Sequence, residues 1–155
     1  MPQLVKGAKY IFGWSKVGIE GKVKIPPEAY EEYNLKRDKF VILFSGSKTS
    51  GGFGLSSTRI LKKSVMKEVL EFNISLTNYE IPEGEVIQFK KKQYCWAKIH
   101  KDCSIFLPKR TLESFGINYN EFLLSIRGSY LAIGFITKGP IFNDAKNHPE
   151  ILIFK

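Results

Sequence analysis

Hydrophobic and polar positions alternate in several short runs. "GKVKIP" (21–26) sets Val23 and Ile25 on one side and Lys22 and Lys24 on the other, which predicts a half-buried strand. "KFVILF" and "EFLLSI" predict two further strands, each followed by a Gly-Ser pair, Gly46–Ser47 and Gly128–Ser129. Those pairs read as hairpin turns in which glycine supplies positive φ, with return strands from Gly52–Phe53 and Gly134–Phe135. Pro26 and Pro108 stand where a short helix would begin. Tyr30 and Tyr33, like Leu112 and Phe115, are three apart and make one apolar helical face. Asn34 and Gly116 fall where a helix ends in a left-handed residue. "RILKKSVMKEV" reads as a second helix, echoed by "FNDAKNHPE", and the closing runs "LEFNIS" and "ILIFK" read as strands. The predicted order is β–α–β–β–α–β, written twice.

Shifting the chain by 82 positions lays residues 2–73 on 84–155 without a gap. Thirteen positions then hold the same residue, among them Trp14/Trp96, Pro26/Pro108, Phe40/Phe122, Phe53/Phe135, Leu70/Leu152 and Phe72/Phe154. The chain is a tandem duplication: repeats at 1–73 and 84–155 with a joint at 74–83. One such unit is too small to cover a core, so the two are expected to interlock as one domain. The repeat also explains most of "SGSKTSGGFG" (45–54), the densest glycine–serine stretch. Its counterpart "RGSYLAIGFI" keeps only the Gly-Ser and Gly-Phe pairs, and neither copy has the G-x-x-x-x-G-K-[ST] phosphate loop. The shared glycines are structural.

"VGIEGKVKIPPEAYEEYNLKRDKFVIL" resembles the AbrB/SpoVT swapped-hairpin family, whose pattern is a strand, G-[RK]-V-x-[IL]-P, a short helix, L-x-x-G-D and a strand. Gly21, Lys22, Val23, Ile25, Pro26, Leu35, Asp38 and Val41 match. The second copy keeps Ile105, Leu107, Pro108, Gly116, Ile117 and Leu123, and has Cys103 in place of the first glycine. The resemblance covers about 30 residues per copy. It implies a mainly β (α+β) fold, a swapped-hairpin β-barrel with short helices and a pseudo-two-fold axis. It also implies a DNA-binding transcription regulator like the MazE and MraZ members. The pattern departs at Arg37 and Tyr119, where the family has glycine, and on the first helix, which carries Glu28, Glu31 and Glu32.

Composition narrows the partners. The net charge of +9 lies just beyond the magnitude of about 2–8 usual for a small domain, and invites duplex DNA or another anion. No apolar run approaches the roughly 18 residues of a membrane span, and "MPQLVKGAKY" lacks a secretory core. Two cysteines are too few for a disulfide framework, so a cytoplasmic location is expected. A homo-oligomer or a partner protein is compatible with all of this.

The residues assigned to DNA are Lys16, Lys22, Lys24, Lys98, Lys101, Lys109 and Arg110, against the plain reading of solvated surface lysines. A second candidate is an anion site at Lys48, Thr49, Ser50, Gly51, Gly52 and Arg59, a polar set that the second copy lacks; its alternative is an ordinary polar hairpin. Cys95, His100, Cys103 and His148 match no tight metal spacing, so no metal and no other cofactor is expected. Trp14 and Trp96 stand beside Lys16 and Lys98, an arrangement that can stack bases but better suits a symmetric core pair. No nucleophile–base pair, carboxylate pair or nucleophile elbow is present, and catalysis is not expected.

Overall fold

The computed structural model describes residues 3–5 and 9–155. Positions 1, 2 and 6–8 of the opening "MPQLVKGAKY" lie outside the described residues. The fold is mixed α+β and rich in sheet. Its first half holds β1 (Gln3–Val5), β2 (Lys9–Lys16), β3 (Lys22–Lys24), α1 (Pro27–Glu32), β4 (Phe40–Ser45), β5 (Phe53–Ser56) and α2 (Thr58–Leu61). Two more helices, α3 (Lys67–Phe72) and α4 (Ile74–Thr77), lead to the second half. That half holds β6 (Ile87–Phe89), β7 (Lys92–Lys98), β8 (Ser104–Phe106), α5 (Lys109–Ser114), β9 (Phe122–Arg127), β10 (Ile133–Ile136), α6 (Pro140–Ala145) and β11 (Ile153–Phe154).

Under the 82-residue shift, β3 falls on β8, α1 on α5 and β4 on β9. The pairing crosses between halves. Strand β2 pairs with β9 and β4 with β7, while β4–β5 and β9–β10 are hairpins within a half. Trp14 lies opposite Leu124, and its equivalent Trp96 opposite Ile42. Two pairs join residues that are equivalents of each other: Val23 faces Ile105 in the β3–β8 ribbon, and Phe53 faces Phe135 between β5 and β10. An approximate two-fold relation therefore runs through both pairs. The nine-stranded sheet follows the order β1-β2-β9-β10-β5-β4-β7-β6, with β11 beside β2. This path is open at β1 and β6, so its hydrogen bonding does not close the barrel that the resemblance implies.

The main core draws equally on both halves. Val23, Ile25, Leu35, Val41, Ile105, Leu107, Ile117 and Leu123 are buried together, with the Phe53 and Phe135 rings stacked at 4.9 Å. Each such side chain contributes about 1.5–3 kcal/mol when fully buried. Tyr33 and Phe115 occupy matching places in that core. Asn34 (φ 53°) and Gly116 (φ 74°) take the left-handed conformation that ends α1 and α5.

Several expectations are corrected. "RILKKSVMKEV" is not one helix: α2 ends at Leu61 and α3 begins at Lys67, with Ser64 bonding its hydroxyl to the Leu61 carbonyl between them. "LEFNIS" is the end of α3, Asn73 and the start of α4, because Val69, Leu70 and Leu76 bury against Ile42 and Tyr94. Only "ILIFK" yields a strand, β11. Neither Gly46 nor Gly128 has positive φ. Gly46 is needed for space, since a Cβ there would stand 2.1 Å from the Gly51 carbonyl oxygen; the left-handed residues of that turn are Gly51 and Gly52. Trp14 and Trp96 do not form a pair: each is half-buried in its own satellite cluster, on opposite sides of the two-fold.

Candidate nucleic-acid interface

The β3–β8 ribbon is the part of the molecule that gathers the assigned cations. Val23 and Ile105 point into the core and leave Lys22, Lys24 and Phe106 on the outer side, with Ser104 covered. Both ribbon strands are entered through one kind of turn. Gly18 N–H donates to the Lys22 carbonyl at 2.9 Å, and the equivalent His100 N–H donates to the Ser104 carbonyl at 2.8 Å. The strands then cross-bond, Ile25 N–H to Cys103 C=O at 2.8 Å and Leu107 N–H to Gly21 C=O at 3.0 Å. These contacts join the two strands and their turns, and the buried Val23 and Ile105 seat the ribbon on the core.

Lys22 Nζ lies 3.0 Å from Asp102 Oδ2, across the ribbon. The hydrogen bond from the Ser104 hydroxyl, then that from Lys22, hold the exposed Asp102 carboxyl well down, at about 2. Lys24 has no ion pair among the described residues, and its carbonyl accepts from the Ser15 hydroxyl at 2.8 Å. Lys101 is exposed in the β7–β8 turn, next to Asp102. Asp102 is a residue of this face that the sequence reading passed over. Its signal was available: Glu20, its equivalent under the shift, is also acidic.

The remaining assigned cations are dispersed. Lys16 turns to the Trp14 side of the sheet, its ammonium 5.7 Å from the Phe122 ring centroid. Lys98 is exposed at the end of β7, and its N–H donates to the Glu83 carboxylate at 2.8 Å. Lys109 and Arg110 open α5 close after the ribbon in sequence, but Arg110 lines a cleft with Glu83 and Glu85. Two of the three carboxylates of α1 have partners other than the ribbon's lysines, and Glu31 is exposed. Glu28 accepts from Tyr10, and Glu32 holds Arg127 through two contacts of 2.5 and 2.6 Å.

The anion set does not assemble. Arg59 donates to both oxygens of Asp38 at 3.3 and 2.8 Å and to the carbonyls of Tyr33 and Asn34 at 3.2 and 3.1 Å. It thereby ties α2 to the end of α1, and β5 separates it from the 46–52 loop. Gly51 N–H is spent on the Ser47 carbonyl at 2.8 Å. The Ser50 carbonyl accepts from Thr137 N–H at 2.9 Å, and a Cβ on Gly52 would stand 1.9 Å from the Phe135 carbonyl oxygen. Lys48 and Thr49 remain on an exposed turn. The stretch is a hairpin packed on the β10–α6 connection.

Among the described residues no group of His, Cys, Asp and Glu is arranged to hold a metal ion. Cys95 is fully buried, and desolvation pushes its thiol up to about 12. No helix among the described residues is long and apolar enough to cross a membrane. Comparison with known proteins found no matching family model, curated protein or solved structure.

Proposed function

We propose that the protein is a non-catalytic, duplex-DNA-binding regulator of the AbrB-like kind, whose two repeats interlock as swapped hairpins into one unit. The observation that carries this reading is the β3–β8 ribbon. It is built jointly by the "GKVKIP" strand and its equivalent, with Lys22 and Lys24 outward and the helix carboxylates Glu28 and Glu32 engaged elsewhere. A two-stranded ribbon fits the major groove, where its cations neutralise phosphates. Phosphate contact is what these lysines offer; neither has the planar fork that reads guanine. Affinity is therefore expected to depend more on salt than on sequence.

Fluorescence anisotropy with a mixed-sequence duplex at low and moderate salt tests this. Each phosphate contact contributes about −0.9 to the slope of log K against log salt. Lys22→Ala combined with Lys24→Ala should flatten that slope by about 2 and weaken binding on every sequence alike. Of the single variants, Lys22→Ala should cost more, because it also leaves Asp102 facing the phosphates unpaired. Absence of binding at low salt, or an unchanged slope in the double variant, would end this reading.

A further inference from the structure

The two tryptophans occupy equivalent places on β2 and β7 and are both half-buried, yet only one has its indole N–H bonded. On the β7 side the joint folds back over Trp96. Tyr79 packs against both Trp96 and Phe40, at ring separations of 5.5 and 4.5 Å, and the Ile81 carbonyl accepts the Trp96 indole N–H at 2.7 Å. Leu76, from the same segment, is completely buried. On the β2 side Trp14 has the same neighbour, Phe122, which is the equivalent of Phe40, at 6.3 Å. Phe142 adds a second edge-on ring at 5.2 Å. Among the described residues no aromatic ring packs on both Trp14 and Phe122 as Tyr79 packs on both Trp96 and Phe40. The Trp14 indole N–H makes no hydrogen bond among the described residues, and a cleft of about 610 Å³ opens beside it, floored by Ala145 and Ile151.

We infer that this cleft is a docking site for a polypeptide segment of a partner protein, with an aromatic residue followed two positions later by an aliphatic one. The joint shows the mode. The aromatic ring would enter between Phe122 and Trp14, and the carbonyl of the aliphatic residue would accept the Trp14 N–H. Lys16 lies against the Phe122 ring and Lys146 lies 5.0 Å from the Phe142 ring, so two cations border the aromatic wall. Glu121, which also lines the cleft, has its carboxylate on the Asn118 N–H at 2.8 Å, so acidic flanks would meet the lysines. The joint itself carries such residues, Glu80 and Glu83 beside Tyr79 and Ile81, and Glu83 accepts from the backbone of Lys98, the equivalent of Lys16. Residues Leu152–Phe154 already take the edge of β2, where Trp14 N–H donates to the Leu152 carbonyl at 2.8 Å. The open space therefore corresponds to Tyr79–Ile81 alone. Its size suits a few side chains, within the roughly 300–1,000 Å³ of ordinary binding clefts.

The chain's own joint is the natural probe. A free peptide of residues 73–83, "NISLTNYEIPE", is titrated into the whole protein while both indole N–H resonances are followed by NMR, assigned with Trp14→Phe. The Trp14 resonance should move saturably with a Kd below about 1 mM, while that of Trp96 stays in place. Replacing the tyrosine of the peptide with alanine should weaken binding by about tenfold or more, the scale of one buried aromatic contact. A Trp14 signal that does not move, or equal titration by the alanine peptide, overturns the proposal. So does a dimer in sedimentation that holds Trp14 against the peptide, since the occupant would then be a second copy. DNA binding through the ribbon is measured separately and stands or falls independently.

Discussion

Gly21 and Cys103 are different residues in the same conformation, whereas Leu70 and Leu152 are the same residue in different ones. Gly21 (φ 78°) and Cys103 (φ 66°) each turn the chain into a ribbon strand, and each offers its carbonyl to the other half. Leu70 is 3% exposed in α3, while Leu152 is 57% exposed just before β11. The first pair lies where both halves contribute to one core, so geometry is imposed even on a residue that resists it. The second pair lies at the periphery, where each half meets different neighbours. What the duplication preserves is the shared core, not residue identity.

The contrast can be broken by substitution. Leu70→Ala should cost about 2–5 kcal/mol in urea unfolding, against within about 0.5 kcal/mol for Leu152→Ala. Equal losses would mean that the two peripheries are alike. Next in size, Gly21→Ala should destabilise by more than about 1–2 kcal/mol, since left-handed strain is joined by a Cβ placed 1.9 Å from the Leu107 carbonyl oxygen. Cys103→Gly should do the opposite, stabilising by under about 1 kcal/mol as relief of strain outweighs the added freedom of the unfolded chain. A loss there would show that the cysteine side chain packs productively.

The smallest effect concerns Asp102. Its carboxyl is held at about 2, below the ordinary value of about 3.9, so its contribution is complete above about pH 4 and is lost as pH falls towards 2. In a carboxyl NMR titration, Ser104→Ala and Lys22→Ala should each raise the midpoint, because the hydroxyl and the ammonium both hold the carboxylate down. An unmoved midpoint in either variant would remove that partner from the control of this group.

The cross-half core was legible in the chain because a gapless shift aligns alternating strands, and alternation says which side faces in. Val23 and Ile25 were placed correctly on that basis, as were the helix ends at Asn34 and Gly116. The peripheries were not legible. Phe72 and Phe154 coincide under the shift, yet one ends a helix and the other a strand, because long-range neighbours decide between them. Tyr130, where the first copy has Lys48, is 82% exposed at the tip of the β9–β10 hairpin although aromatic. The anion set failed for a different reason. Arg59 has a partner in Asp38, 21 positions away, which the local polar pattern of its loop does not reveal. The ribbon's lysines were named from alternation, but their ion pair with Asp102 depends on which strand lies alongside.

Everything proposed for the ribbon depends on the halves exchanging strand partners. Interstrand NOEs in the intact protein test that most directly. The account predicts contacts of Trp14 with Leu124 and of Trp96 with Ile42. The contradicting result is the unexchanged set, Trp14 with Ile42 and Trp96 with Leu124, which would leave each half to fold on itself.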